Sequence, residues 1–286
     1  MSGQDDFGDV AIFGVGLIGG SLGLALKRKG LARRIIGIGR NVDRLKQAVR
    51  LGAIDDYTTN VAEGCQGASL IVLCTPVARI ITDLPAVLEA AGPDAVITDV
   101  GSVKSAIVEA AGSDSRFIGS HPMAGAESSG VESARENLFD EATWVITPIA
   151  TTSSKAMSTA RNLGLAVGSS VYTSTPEAHD AAVAVVSHLP HVVATSLMLL
   201  ASQDKERMPN LPAMSAGSFA DATRVAASSP ELWRDVCLTN RTSILAALDG
   251  FVAQIDEARR AIAKGDGDAL RTMFDSGARA KGRWRR

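Results

Sequence analysis

The stretch from Val10 to Leu26, VAIFGVGLIGGSLGLAL, constrains the chain most. A short apolar run, Val10 to Phe13, leads into Gly14, Gly16 and Gly19, spaced G-x-G-x-x-G. An apolar helical pattern follows through Leu22, Leu24, Ala25 and Leu26. Strand, tight turn and helix in that order is the context in which such glycines cradle a dinucleotide. Gly14 makes the turn, Gly16 lets the backbone approach a pyrophosphate, and Gly19 lets the helix pack closely on the strand. Leu17 and Ile18 open the helix, whose free N–H groups and dipole face the anion. A purely structural turn would carry the same glycines, so the reading rests on the context.

Length and composition narrow the possible folds and partners. The 286 residues predict about two domains. A hydrophobic content of 46% supplies a sizeable core and argues against disorder. A net charge of −2 and an aromatic content of 4% speak against nucleic acid as the main partner. Three scattered cysteines, Cys65, Cys74 and Cys237, read as reduced thiols of a cytoplasmic protein. The first residues, MSGQDDFGD, are acidic and contain no apolar signal region. Ala181 to Ala201 is apolar for about one membrane span, but His188, Pro190 and His191 interrupt it. It reads as a core helix, and no membrane partner is expected.

The first half of the chain alternates strand and helix. Strands are expected at Arg34–Ile38, Ser69–Cys74, Ala95–Thr98, Phe117–Gly119, Trp144–Thr147 and Val171–Thr173, with a helix over Val42–Leu51. Continuous apolar runs separated by helical segments predict a parallel sheet buried on both faces. Beyond Ser174-Thr175-Pro176 only helical patterns appear, over about 176–202, 213–226, 231–263 and 266–279. Breaks are expected at Pro209 and Pro212, at Ser228–Pro230, and at Gly265 and Gly267. The fold class expected is therefore α/β: an N-terminal Rossmann-type doubly wound, mostly parallel sheet, residues 1–173, followed by an all-helical domain, residues 174–286. The last residues, KGRWRR, read as a solvated end or as a contact for an anion or membrane.

The residue that reads the adenosine ribose is expected about 20 residues past the glycines, at the end of the second strand. Gly39-Arg40-Asn41 stands there, with no acid to bind a free 2′-hydroxyl. Gly39 leaves room, and Arg40 pairs with a 2′-phosphate or is an ordinary surface charge. This favours NADP over NAD. The cofactor set is Gly14, Gly16, Leu17, Ile18 and Gly19, then Arg40 and Asn41, then Thr75 and Pro76 after the Ser69–Cys74 run.

Two stretches follow strand ends, where open α/β sheets place their ligands: DVGSVK at Asp99–Lys104 and SHPMAGAE at Ser120–Glu127. His121, just past a strand and fixed by Pro122, is placed as a general base. Ser102 is a small hydroxyl at a glycine turn and also a candidate helix cap. His179, His188 and His191 lie in the first helix of the second domain. No cysteine or carboxylate spacing matches them, so no metal is expected.

The chain resembles the prephenate/arogenate dehydrogenase family. The resemblance rests on GVGLIGGSL at Gly14–Leu22, DVGSVK, SHPMAGAESSGVE at Ser120–Glu132, SHLPH at Ser187–His191 and ATRVAASSPELWRD at Ala222–Asp235. It covers about residues 8–275, and the HPMAG and SHLPH motifs in this order are its most specific part. It implies oxidative decarboxylation of a cyclohexadiene, with hydride passing to a nicotinamide and the ring becoming aromatic. It makes His121 the acceptor of the hydroxyl proton and Ser102 the group that orients the same region. Arg224 becomes the anchor of a substrate carboxylate. Glu127, His191, Gly217 and Trp233 fall near the substrate side chain or the pocket gate. Ala126 and Ser128 depart from the family pattern and leave contacts at that turn open. A homodimer through the helical domain is implied, with Ala181–Ala201 and Ile244–Ile255 as candidate interface or intrachain core. No regulatory domain is expected after the helices, so feedback by tyrosine would act at the active site.

Two other readings compete. A β-hydroxyacid dehydrogenase-like reductase would need a lysine on the first helix of the second domain, which has none before Lys205. A dinucleotide-sensing protein without turnover would need the glycines but not His121, Ser102 and Arg224 together.

Overall fold

In the computed structural model, which describes residues 6–126, 128–203, 208 and 210–284, the apolar runs of the first half pair into one eight-stranded sheet. In chain order the elements are β1 (Asp9–Phe13), α1 (Leu17–Arg28), β2 (Arg34–Ile38), α2 (Val42–Arg50), β3 (Asp56–Thr58), α3 (Val61–Cys65) and β4 (Leu70–Leu73). Then come α4 (Val77–Ala90), β5 (Val96–Asp99), α5 (Ser105–Ala111), β6 (Phe117–Pro122), β7 (Thr143–Thr147), α6 (Ser154–Ala166) and β8 (Ser170–Thr173). The sheet order is β3-β2-β1-β4-β5-β6-β7-β8. Pairing is parallel except between β6 and β7. The order reverses between β1 and β4, which opens a crevice at their carboxyl ends.

Every residue of β4 is buried, as a strand covered on both faces requires. Ile12, Leu22, Leu26, Ile35, Leu70 and Ile71 are fully buried between the sheet and its helices. The α/β class with a mostly parallel sheet read from the sequence is borne out. Two strands differ from expectation. β3 is only three residues long and too polar to signal itself. β6 runs to Pro122, because after Phe117 and Ile118 pair with β5, residues Gly119–Pro122 pair with β7.

After the sheet the described elements are helical: α7 (Pro176–Val183), α8 (Leu189–Gln203), α9 (Leu211–Met214), α10 (Gly217–Thr223), α11 (Pro230–Thr239), α12 (Arg241–Lys264) and α13 (Gly267–Arg283). Thr175 caps α7, accepting a hydrogen bond from the Ala178 N–H at 3.2 Å, with Pro176 at the first position. A π-turn at Ala184–His188 separates α7 from α8. The run Pro176–Gln203 is long and apolar enough to cross a membrane by length and composition alone. It nevertheless buries His179, Asp180 and His188. The single helix expected over 213–226 is three short pieces, α9, α10 and a 3-10 turn at Arg224–Ala227. The helix expected over 231–263 breaks at Asn240, whose side chain is drawn into the fold. Contacts group Met1–Arg241 as one unit and Thr242–Arg286, most of α12 with α13, as another. Helices α7–α11 join the sheet unit because α7 packs on α5 and α11 on α4.

One helix–loop contact sets a steric limit. A Cβ on Gly23 of α1 would lie 2.0 Å from the Ala53 carbonyl oxygen. Alanine gains about 1 kcal/mol over glycine in a helix interior, whereas overpacking a close backbone contact costs about 1–3 kcal/mol. Gly23→Ala is therefore expected to lower the urea midpoint. A midpoint at or above wild type would show that the contact relaxes freely.

Candidate active site

The glycine turn sits between β1 and α1. Gly14 has φ +83° and approaches Thr75 so closely that a Cβ would lie 2.7 Å from its Cγ2. A Cβ on Gly19 would meet the Gly14 carbonyl oxygen at 2.3 Å. Around Gly16, by contrast, a Cβ would meet nothing within 4 Å. Gly16 is the N-cap of α1, no side chain caps that helix, and its first turn, which includes Leu17 and Ile18, holds no acid. The first N–H groups are thus free for an anion. Across the crevice, after β4, Thr75 Oγ1 is buried without a hydrogen-bond partner. Pro76 next to it starts α4. An orphaned hydroxyl beside an open, uncapped helix start fits a bound dinucleotide phosphate or ring amide. Arg40 is exposed just past β2. The Asn41 side-chain Oδ1 is spent on capping α2, accepting from the Arg44 N–H at 3.1 Å.

Because β1, β4, β5 and β6 are adjacent and parallel, their carboxyl ends lie on one edge of the sheet. That edge carries Gly14, Thr75, the Asp99–Lys104 loop and His121. A buried pair anchors it. Lys104 Nζ donates to Asp99 Oδ2 and, at 2.6 Å, to the Ser120 carbonyl. Asp99 also accepts from the N–H groups of Gly101 at 2.7 Å and Ser120 at 3.1 Å. Burial pushes the Asp99 carboxyl up and the Lys104 ammonium down, and the attraction between them opposes both shifts.

His121 lies inside β6, opposite Val145 of β7, and not in a loop past the strand. This corrects the sequence reading: antiparallel pairing with β7 carries the strand further than its hydrophobic pattern. The ring is buried, with Nδ1 2.8 Å from Nε2 of His179. Nδ1 of His179 in turn lies 2.8 Å from Asp180 Oδ1. Burial, then the charges that His179, Lys104 and His188 can carry, hold the His121 ring well below 6.5. It is neutral at physiological pH.

Ser102 is half-buried in the β5–α5 loop. It does not cap α5: the first N–H groups there, from Lys104 and Ser105, donate to the Asp180 carboxylate at 2.7 and 2.9 Å. His188 is brought inward by the π-turn and fully buried. Asn240 Nδ2 donates to the Asp180 carbonyl at 2.9 Å and to His188 Nδ1 at 3.1 Å, leaving His188 Nε2 without a partner. Burial lowers His188 to about 4.

A second cluster gathers at α8 and α11. His191 stacks on Trp233 with ring centroids 3.6 Å apart and donates from Nδ1 to the Ser187 carbonyl at 2.8 Å. The Arg224 charge is close enough to act on His191. The structure therefore brings His191, Trp233 and Arg224 together. Gly217 opens α10, exposed, with open space around its Cα. Glu127, Lys205 and Pro209 lie outside the described residues, as do the last two residues of the tail. Among the described residues no group of three or more His, Cys, Asp and Glu is arranged to hold a metal ion.

Sequence reasoning missed Asp180, Lys104 and Asn240 as parts of the site. A signal for Asp180 exists: the buried face of α7 is Pro176, His179, Asp180 and Val183, an i, i+3, i+4, i+7 stripe with two polar residues in it. An acid on such a stripe needs a buried partner.

Comparison with known proteins agrees with this geometry. The family described as "Prephenate dehydrogenase, nucleotide-binding domain" matches residues 22–173, and "Prephenate dehydrogenase, dimerization domain" matches residues 175–276. The chain belongs to the prephenate dehydrogenase family. Prephenate dehydrogenase of Bacillus subtilis is 36% identical over 93% of this chain and 73% of its own length. Cyclohexadienyl dehydrogenase of Zymomonas mobilis is 34% identical over 96% and 95%. The crystal structure of prephenate dehydrogenase from Aquifex aeolicus, in complex with hydroxyphenyl propionate and NAD+, superposes with a TM-score of 0.83 at 30% identity, covering 99% of both chains. Family membership makes this chain an oxidoreductase of tyrosine biosynthesis, a dehydrogenase that decarboxylates its substrate as it oxidises it.

The cluster around His191 is open to direct test. Burial, followed by the Arg224 charge, holds its pKa below 6.5 against the pull of the Ser187 carbonyl. Arg224→Gln is expected to raise the His191 pKa measured by NMR titration. An unchanged value would separate the two side chains in solution.

Proposed function

We propose that this member oxidises prephenate or arogenate with NADP in preference to NAD, using His121 as general base. The carrying observation is the neutral, buried His121 ring held at the carboxyl edge of the sheet, beside the Asp99–Lys104 loop. The bound nicotinamide supplies the hydride acceptor. His121 takes the proton of the ring hydroxyl as hydride leaves the same carbon, and Ser102 hydrogen-bonds and orients that hydroxyl. The forming carbonyl then draws out the ring carboxylate as CO₂, and the ring becomes aromatic. Arg224 holds the side-chain carboxylate through a bidentate fork. Glu127, His191, Gly217 and Trp233 serve the side-chain end of the substrate or the pocket gate. The functional division is 1–173 for the dinucleotide and 174–286 for substrate and dimerisation. The homodimer is supported by the dimerization-domain match and by exposed Val185, Val186, Leu199 and Leu200 on the α7–α8 run. A cytoplasmic location goes with the reduced thiols.

Absorbance of reduced nicotinamide, followed with prephenate and arogenate and with each cofactor, tests the whole reading. His121→Asn is expected to lower kcat about 10²–10⁴-fold with cofactor affinity kept. A kcat near wild type removes His121 from the chemistry. In the wild-type enzyme, kcat is expected to hold as pH falls through 6.5 and to drop only below it, because the His121 pKa is depressed.

The cofactor preference rests on the absence of an acid at Gly39-Arg40-Asn41. A Cβ on Gly39 would meet Leu45 at 3.4 Å, an ordinary contact, so a side chain is tolerated there. Gly39→Asp places a carboxylate against a 2′-phosphate. The ratio of kcat/KM for NADP over NAD is expected to fall about 10–100-fold. A wild-type enzyme that already prefers NAD overturns the assignment.

A further inference from the structure

We infer that Asp180, acting through His179, fixes the tautomer of His121 so that its proton sits on Nδ1 and its lone pair on Nε2. His179 and Asp180 are positioning residues in a three-member chain. The inference deepens the proposed function, since it matters for turnover only if His121 is the base.

The proton positions are set from the carboxylate outward. The Asp180 carboxylate faces two backbone N–H groups, from Lys104 at 2.7 Å and Ser105 at 2.9 Å, and both can only donate. Burial raises the Asp180 carboxyl, but the hydrogen bonds from His179, Lys104 and Ser105 outweigh it and hold the group below its ordinary value. An ionised carboxylate only accepts. The His179 nitrogen 2.8 Å from Oδ1 therefore carries a proton and donates it. In a neutral His179 the other nitrogen, Nε2, is then an acceptor. It lies 2.8 Å from His121 Nδ1, so His121 must donate there. His121 is neutral, so its Nε2 is left unprotonated.

Neither imidazole has another described hydrogen-bond partner on these nitrogens, and both rings are buried, so water does not replace a link. Other charged or titratable groups near His121 are Lys104, paired with Asp99, and His188. His188 is held by Asn240, which donates to it, and takes no place in the chain. The chain also couples two parts of the fold: the carboxylate that sets the tautomer is the one that caps α5 from α7.

Asp180→Ala removes the acceptor that holds the proton on His179 Nδ1. Asp180→Asn does not, because Oδ1 accepts from both His179 and the Lys104 N–H, and an amide oxygen at that position keeps both bonds. Without an acceptor at Nδ1, His179 is no longer fixed as an acceptor at Nε2, and the His121 proton is released from Nδ1. Long-range ¹H–¹⁵N spectra of histidine-labelled enzyme, assigned with His121→Asn, read the tautomer without turnover. The expected result is Nδ1–H for His121 in the wild type and in Asp180→Asn, and loss of that preference in Asp180→Ala, with kcat of Asp180→Ala lower by about 10²–10⁴-fold. His179→Gln, whose carbonyl can still accept from His121, keeps Nδ1–H, and His179→Phe loses the preference. This second pair decides the matter if Asp180→Ala does not fold. Nε2–H on His121 in the wild type overturns the inference, and so does Nδ1–H retained in both Asp180→Ala and His179→Phe. A tautomer that switches while kcat stays unchanged supports the chain and overturns His121 as the base.

Discussion

The candidate active edge depends on the buried ion pair of Asp99 and Lys104. Asp99 closes β5, Lys104 precedes α5, and the two meet with no solvent around either side chain. Lys104 also donates to the Ser120 carbonyl, one residue before His121, and Asp99 accepts the Ser120 N–H. Removing one member would leave an uncompensated buried charge, a loss of about 3–5 kcal/mol. The same lysine donates its backbone N–H to Asp180. One residue thus joins the sheet, through its side chain, to helix α7, through its main chain. The strand that carries the candidate base and the helix that carries its supporting carboxylate cannot shift independently.

That arrangement depends in turn on where the sheet changes direction. Parallel strands lay Gly14, Thr75 and the Asp99–Lys104 loop along one edge, as any doubly wound sheet does. The antiparallel β6–β7 pair then does something a purely parallel sheet would not. It extends β6 to Pro122 and holds His121 by main-chain pairing on both sides, with Ser120 opposite Ile146 and Pro122 opposite Trp144. Trp144 is itself fully buried against Phe139. The candidate base is built into a strand, where its backbone has few alternative conformations, whereas Arg224 opens a four-residue 3-10 turn.

The parts of this fold legible in the sequence are those that local pattern can carry. The glycine turn, the long apolar strands and the switch to helices after Thr173 are such patterns, and a single sequence displays them. β6 reads short because its second half, Ser-His-Pro, is polar and is held by a strand more than twenty residues later. The break at Asn240 and the π-turn at Ala184–His188 are likewise tertiary. Asn240 ends a helix to reach Asp180 and His188, and nothing within the helical pattern announces it. In the site, DVGSVK draws the eye to its serine, whereas the residues that bear the geometry are its first and last. Asp99 and Lys104 meet across a strand, a glycine turn and a helix start, a path no helical or strand period describes.

The depressed basicity of His121 constrains the order of events on the proposed reading. A weak base does not ionise an alcohol before oxidation begins. As hydride leaves the carbon, however, the oxygen becomes carbonyl-like and its proton strongly acidic. Transfer to His121 is then downhill even for an imidazole whose pKa lies well below 6.5. Proton loss must accompany or follow hydride loss, not precede it. The His179 Nε2 acceptor, fixed by the Asp180 carboxylate, favours the imidazolium that forms at His121, whereas burial and the charges that His179, Lys104 and His188 can carry disfavour it. The balance keeps the ring neutral when no proton is offered and accepting when one is. A chain that ended at His179 without the carboxylate would provide only the first half of that balance.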